Sequence, residues 1–189
     1  MTDLVRAKGL LNAANTALVV VDMQEPFLAP IFERERVEAN VKLLLQSLPL
    51  FGVPVIATTQ YQARMGGTIP ELQELLPPGT PVFDKLAFSC AGNPEFTSAL
   101  AAASRRQILL CGIETHICVS QTAHDLLALG YEVHVAADSV SSRAKLNWRL
   151  GLEKMASSGA VITSAEAALY EVMERAGTPE FKRVIPFVK

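Results

Sequence analysis

The sequence predicts an α/β fold of three layers, α/β/α, around a six-stranded, mainly parallel sheet. Three observations carry that prediction. Short apolar runs alternate with amphipathic helical patterns along the whole chain, the arrangement of repeated βαβ units. The strand-like runs are continuously apolar rather than alternating, as strands covered on both faces are. Glycine and proline gather between the two kinds of segment, where the chain has to turn.

Each element follows from its own residues. ALVVV at 17–21 is the first strand. Phe32 to Phe51 reads as a helix, with Val37, Val41, Leu44, Leu45 and Leu48 on one stripe opposite Glu33, Glu35, Arg36 and Lys42. VPVIATT at 53–59 is the second strand. Residues 60–80 carry glycine and proline around a short helical piece from Pro70 to Leu76, and read as a long functional loop. PVFDK at 81–85 is a brief third strand, and Pro94 to Ser104 a helix. Ile108 to Cys111 is the fourth strand, ended by Gly112, and His116 to Leu129 is its helix, stopped by Gly130. Tyr131 to Ala137 is the fifth strand, Lys145 to Ser157 a helix, Ala160 to Thr163 the sixth strand and Ala165 to Arg175 the last helix. The tail from Pro179 to Lys189 is expected to dock on the surface.

Length and composition bound the function. The chain has 189 residues, 50% of them apolar, which suffices for one core, so a single domain over residues 1–189 is expected. Lys and Arg total 17 against 19 Asp and Glu, a net charge of −2 that offers no electrostatic footprint for nucleic acid or an anionic membrane. Neither is expected as a partner. No apolar run approaches the roughly 20 residues that span a bilayer, and the stretch MTDLVRAKGLLNAAN lacks a signal-peptide core and cleavage site, so a cytoplasmic protein is expected. Cys90, Cys111 and Cys118 are odd in number and irregular in spacing, which fits reduced thiols. His116, His124 and His134 are scattered without ligand spacing, so no metal is expected, and no glycine-rich segment has the strand and lysine context of a nucleotide loop.

The reactive side chains fall in one place. Asp22 follows the first strand, Lys85 ends the third, and Cys118 comes shortly after the fourth, near the start of a helix. In an open parallel sheet all three lie beyond the carboxyl ends of strands, where ligands bind at a topological switch point. Taken singly, Asp22 could cap a turn, Lys85 could be a solvated loop residue and Cys118 a small buried hydrophobe. Together they fit acyl transfer. A thiolate favoured by a helix N-terminus and a nearby ammonium attacks a carbonyl, a carboxylate takes the thiol proton and returns it to the leaving group, and backbone N–H groups stabilise the oxyanion.

Three segments, VVVDMQEPF (19–27), DKLAFSC (84–90) and GIETHICVSQTAHDL (112–126), resemble in residue and in order the isochorismatase-like cysteine hydrolases, which include nicotinamidases and N-carbamoylsarcosine amidases. The resemblance runs from about residue 13 to about residue 185. It implies the isochorismatase-like hydrolase fold and a triad of Cys118 as nucleophile, Asp22 as general base and acid, and Lys85 as electrostatic partner. It also implies a cis peptide between Ile113 and Glu114 and an oxyanion hole from the backbone N–H groups of Glu114 and Cys118. Nicotinamidases carry an aspartate and histidines after the second strand that bind a metal; TTQYQARMGGTIPEL has neither residue type, so no metal or organic cofactor is implied. The loop instead looks like isochorismatase-domain proteins of unassigned substrate. Some relatives in that branch are described as ribonuclease-like mitochondrial proteins, a label the chain's charge does not favour.

Around the triad, Phe27, Tyr61 and Phe88 each follow a strand end and are expected to wall a small pocket, with Gln60 and His116 lining it. Cys111 reads as core and Cys90 as either core or pocket. Asp138 reads as a turn or helix-cap residue, Arg143 as an ion-pair or interface residue, and Trp148, Leu152 and Met155 as part of a subunit contact, since family members commonly form homo-oligomers; a dimer or tetramer is expected. The expected activity is hydrolysis of a small amide, carbamoyl or related C–N bond in a small-molecule substrate. The alternatives are ether hydrolysis of the isochorismatase type, a non-catalytic ligand-binding or scaffold protein, and a thiol redox sensor.

Overall fold

The computed structural model of the protein describes residues 7 and 9–188. The first six residues, residue 8 and Lys189 lie outside the described residues, and with them part of the stretch MTDLVRAKGLLNAAN and the end of the tail. β1 (Thr16–Val21), β2 (Val55–Gln60), β3 (Val82–Lys85), β4 (Gln107–Ile113), β5 (Glu132–Ser141) and β6 (Val161–Thr163) form one sheet in the order 3-2-1-4-5-6, with every neighbouring pair parallel. Between them run the single-turn helices α1 (Glu25–Leu28), α3 (Gln62–Met65) and α4 (Pro70–Gln73), and the longer α2 (Arg34–Ser47), α5 (Pro94–Ala102), α6 (Ser120–Ala128), α7 (Lys145–Ser157), α8 (Ala165–Met173) and α9 (Pro179–Val188).

The period of two along each strand sorts the core into two layers. Leu18 and Val20 of β1, with Leu109 and Cys111 of β4, pack among the apolar residues of α2 and α8. Ala17, Val19 and Val21, with Ile108 and Leu110, pack against Phe96, Ala123, Leu126 and Met155 on the other face. All six residues of β1 are buried, which is why this run carries no alternation.

The strand order reverses between β1 and β4. The chain steps outward from β1 to β2 and β3 and later resumes on the other side with β4, leaving a crevice at the carboxyl ends of these two strands. Gly112 makes their close approach possible. Its φ is +109°, and a Cβ there would sit 2.0 Å from the Val21 carbonyl oxygen, so no other residue fits.

Several boundaries differ from the sequence reading, each for a local reason. The long helix after β1 ends at Ser47 and tightens into a 3₁₀ turn over Leu48–Phe51. The segment after β4 opens with a wide π turn over Thr115–Val119 before α6 begins. β5 runs on to Ser141 through a register shift against β4 at Leu110/Gly112. Its polar end is held from the side. Ser141 donates to the Phe32 carbonyl at 2.6 Å, and Asp138 accepts the first N–H of α8 at 2.8 Å, so Asp138 serves a helix terminus from within a strand. The tail is α9, with Val184 buried and Phe181 and Val188 packed on the core. Met155 is fully buried in the core, while Trp148 and Leu152 are half-buried against it, the Trp148 indole N–H donating to the Ala137 carbonyl at 3.1 Å. Leu146 and Leu150 are the exposed apolar residues of that helix. Among the described residues no helix is long and apolar enough to cross a membrane.

Candidate active site

Asp22 is the residue that leaves β1. Its φ of 51° lies in the left-handed region, which aspartate tolerates better than most residues, and this turn aims the carboxylate across the crevice. The side chain is 2% exposed. Oδ1 accepts the Thr58 hydroxyl at 2.8 Å and Oδ2 the Lys85 ammonium at 2.7 Å. Lys85 is the last residue of β3 and lies in register with Gln60 at the end of β2. Its Nζ also donates to Gln60 Oε1 at 2.6 Å and to the Phe88 and Ala87 carbonyls at 3.0 and 3.4 Å. Gln24 fixes this corner: it accepts the Gln60 N–H at 2.6 Å and donates to the Gln60 and Gly66 carbonyls at 3.1 and 2.7 Å.

Cys118 sits in the wide turn ahead of α6 and is 8% exposed. Its thiol and the Asp22 carboxylate line the same cavity wall and lie close enough for each to affect the other's proton affinity. Helix α7 seats this turn closely, since a Cβ on Gly151 would stand 3.1 Å from the backbone of His116. The peptide bond from Ile113 to Glu114 is cis. The Glu114 carboxylate accepts the backbone N–H of Arg143 at 2.9 Å and pairs with its guanidinium at 3.1 Å.

Burial sets the protonation of this cluster. It raises the Asp22 pKa above the ordinary 3.8, and the Lys85 charge and the hydrogen bonds from Lys85, Thr58 and Cys118 only partly offset it. Burial works against the Lys85 charge, but the Asp22 carboxylate, with smaller contributions from Cys118 and Cys90, outweighs it and raises the Lys85 pKa, so the side chain is an ammonium. Burial, then the Asp22 charge, pushes the Cys118 thiol up to about 12, against a smaller lowering by Lys85. Burial and the neighbouring carboxylate thus work against the thiolate that a helix N-terminus would favour, and the proton acceptor nearest at hand on the cavity wall is Asp22.

Asp22 and Cys118 line a cavity of about 360 Å³, and Lys85 pairs with Asp22 from outside its wall. Of the residues expected to line it, Phe27, Gln60, Tyr61 and Phe88 do, together with Ile113, Glu114 and Cys118. His116 is not among them. Its Nδ1 is 2.9 Å from the Ser142 hydroxyl and its Nε2 3.4 Å from Asn147, because the π turn rotates it off the register an α-helix would give. Gln60 lines the wall but spends its amide on Lys85 and on the Leu86 carbonyl at 3.0 Å, so it also holds the lysine. Cys90 is fully buried behind Asp22, with Sγ 3.6 Å from Thr58 Oγ1 and its thiol raised to about 11 by burial. The sequence reading did not find Met65, Leu86 and Ile117 in the wall, nor Thr58 and Gln24 behind it. An apolar residue in a loop rich in glycine and proline was the available signal for Met65, and an apolar residue directly after a strand end for Leu86. Among the described residues no group of three or more His, Cys, Asp or Glu side chains is arranged to hold a metal ion.

Residues 16–167 match the model of the isochorismatase domain. The chain is similar, at 41% identity over 96% of its length and 88% of the relative's, to a secreted isochorismatase effector, Isc1, of Phytophthora sojae. It is 36% identical to isochorismatase domain-containing protein 2 of Danio rerio over 93% of this chain and 88% of that one. Among solved structures, the MAR1 ribonuclease of Caenorhabditis elegans superposes with a TM-score of 0.90 at 35% identity, covering 95% of this chain and 92% of the other. The Escherichia coli YcaC product, described as an octameric hydrolase of unknown specificity, shares the fold with a TM-score of 0.87 at 22% identity, over 96% and 94% of the two chains.

Proposed function

This chain belongs to the isochorismatase family, and from that membership we propose that it is a cysteine hydrolase of a small amide, carbamoyl or related C–N bond, acting through an acyl-enzyme on Cys118. The observation that carries the reading is one carboxylate, Asp22, paired with a buried ammonium and sharing the wall of a mainly apolar cavity with the Cys118 thiol. In the first half-reaction the thiol proton passes to Asp22 as the Cys118 sulfur–carbon bond forms. The substrate C–N bond then breaks, and the same proton goes to the leaving nitrogen. In the second half a water gives its proton to Asp22 and attacks the thioester carbonyl; the C–S bond breaks and the thiol is reprotonated. Asp22 ends as it began, without an added reagent.

Lys85 keeps Asp22 ionised between transfers, and the backbone N–H groups of Glu114 and Cys118, both at the cavity wall, are assigned to the developing oxyanion. This part of the proposal needs no metal. Ether hydrolysis of the isochorismatase type uses no cysteine and would leave Cys118 without a task. A nuclease reading is not favoured by a net charge of −2. Assembly as a homo-oligomer belongs to the proposal too, with the exposed Leu146 and Leu150 of α7 as an apolar face available for contact; light scattering in solution measures it. The test of activity is ammonia release across a panel of small amides and carbamoyl compounds. The expected result is release by the native protein that disappears in Cys118→Ala. Release that survives Cys118→Ala overturns the mechanism.

A further inference from the structure

The charges around the cavity state what it can admit. Its polar wall consists of Asp22, Gln60, Glu114 and Cys118, and the remainder is apolar or aromatic. Among the described residues no lysine, arginine or histidine lines it. Both carboxylates already have their cations: Asp22 holds Lys85 at 2.7 Å and Glu114 holds Arg143 at 3.1 Å. The Lys85 side chain is 1% exposed and its ammonium is taken up by Asp22, Gln60 and the Phe88 carbonyl, so nothing of it remains for a ligand. Two arginines lie nearby but outside the wall. Arg143 is 60% exposed and engaged with Glu114, and the Arg64 guanidinium lies 6.0 Å from the centre of the Tyr61 ring.

A carboxylate carried into this space would give up its water and gain no cation in return, since the nearby cations are already paired with Asp22 and Glu114. An ammonium would give up its water for carboxylates that are already neutralised. An uncharged molecule loses least, and an apolar body gains from Phe27, Met65, Phe88 and Ile117. The volume, about 360 Å³, stands at the lower end of small-molecule sites, about 300–1,000 Å³.

We infer that the cavity selects by charge: its substrate is an uncharged amide whose acyl part is a small apolar ring or chain, and carboxylate-bearing compounds are rejected. This rests on the hydrolase reading above for the word amide, and on the wall alone for the selection. It also accounts for product release. Hydrolysis at neutral pH converts a neutral acyl group into a carboxylate, the species this wall does not hold.

Two reagents of matched size test the selection at Cys118 itself. Iodoacetamide and iodoacetate react alike: the sulfur–carbon bond forms, the C–I bond breaks, iodide leaves, and the thiol proton goes to Asp22. Mass spectrometry of the Cys118 peptide gives both rates, and the same protein in urea gives the reference ratio. The folded protein is expected to favour iodoacetamide at least tenfold more than the unfolded chain does. Leu86→Lys, at a position 72% exposed and on the cavity wall, is expected to reduce that preference at least threefold. A folded ratio equal to the unfolded one, or below it, overturns the inference.

Binding to Cys118→Ala protein tests the same point without chemistry. Benzamide is expected to raise the melting temperature with dose, and benzoate and benzylamine are not; either of them matching benzamide overturns the selection. Failure of the hydrolase reading looks different. It shows as slow alkylation by iodoacetamide itself and leaves the benzamide and benzoate comparison intact.

Discussion

Asp22→Asn separates the two effects this carboxylate has on Cys118, because they carry opposite signs. As a charge, Asp22 holds the thiol pKa up, second only to burial in setting it at about 12. As a base, it removes the proton. With a pKa of about 12, only about one thiol in 10⁵ is ionised unaided at pH 7. If Asp22 acted by charge alone, replacing it would lower the thiol pKa, and Cys118 would be alkylated faster. If it is the general base, the variant loses the acceptor, and labelling by iodoacetamide falls by about 10²–10⁴-fold, the usual worth of a positioned base. The pH profile changes in parallel. The native rate rises as Asp22 ionises, at a pH above 3.8 because burial raises that pKa, whereas the variant shows no such limb and climbs only towards alkaline pH. Asparagine keeps the shape, but it leaves Lys85 without its counter-charge, at a cost of about 3–5 kcal/mol, so melting curves accompany the rates to establish that folded protein is compared. Unchanged or faster labelling of folded Asp22→Asn refutes the base assignment.

Three further substitutions follow from the same geometry. Lys85→Gln removes the charge that offsets the burial of Asp22, so the acidic limb of Cys118 labelling moves to higher pH. Stability changes with it: a carboxyl raised further above 3.8 contributes fully below that pH and loses its contribution as pH rises through the folded value, so urea melts should show the deficit, about 3–5 kcal/mol, at neutral pH and much less in acid. Thr58→Val deletes the 2.8 Å hydrogen bond to Asp22 Oδ1; it is expected to cost about 1–3 kcal/mol in denaturant unfolding and to shift the limb the same way by less. Gly112→Ala places a methyl 2.0 Å from the Val21 carbonyl at a φ of +109°, which should cost about 2–5 kcal/mol and depress Cys118 labelling by displacing the adjoining Asp22 turn.

What the sequence could reveal depended on whether the cause was local. β1 and β4 were legible because buried parallel strands are continuous apolar runs, and from them followed the edge where Asp22, Lys85 and Cys118 lie. Asp138 was legible in chemistry but not in place: it does satisfy a helix N-terminus, though from a strand that the polar run at 138–141 concealed. His116 is absent from the wall because it lies in a π turn and turns to Ser142, a partner 26 positions away that no local pattern reveals. Met155 turned out to be core because an amphipathic pattern marks a buried face without saying what covers it. The state of the thiol was beyond reach as well. Proximity to a helix start argued for a thiolate, and the burial and neighbouring carboxylate that reverse it are properties of the assembled site.

The central claim is a covalent intermediate on Cys118, and the most direct measurement of it is rapid mixing with 4-nitrophenyl butanoate, an uncharged acyl donor with a coloured leaving group. The account predicts a burst of one nitrophenolate per chain, a butanoyl adduct on the Cys118 peptide in the acid-quenched sample, and loss of both in Cys118→Ala. Turnover without an adduct on Cys118, or turnover that persists in Cys118→Ala, would contradict it.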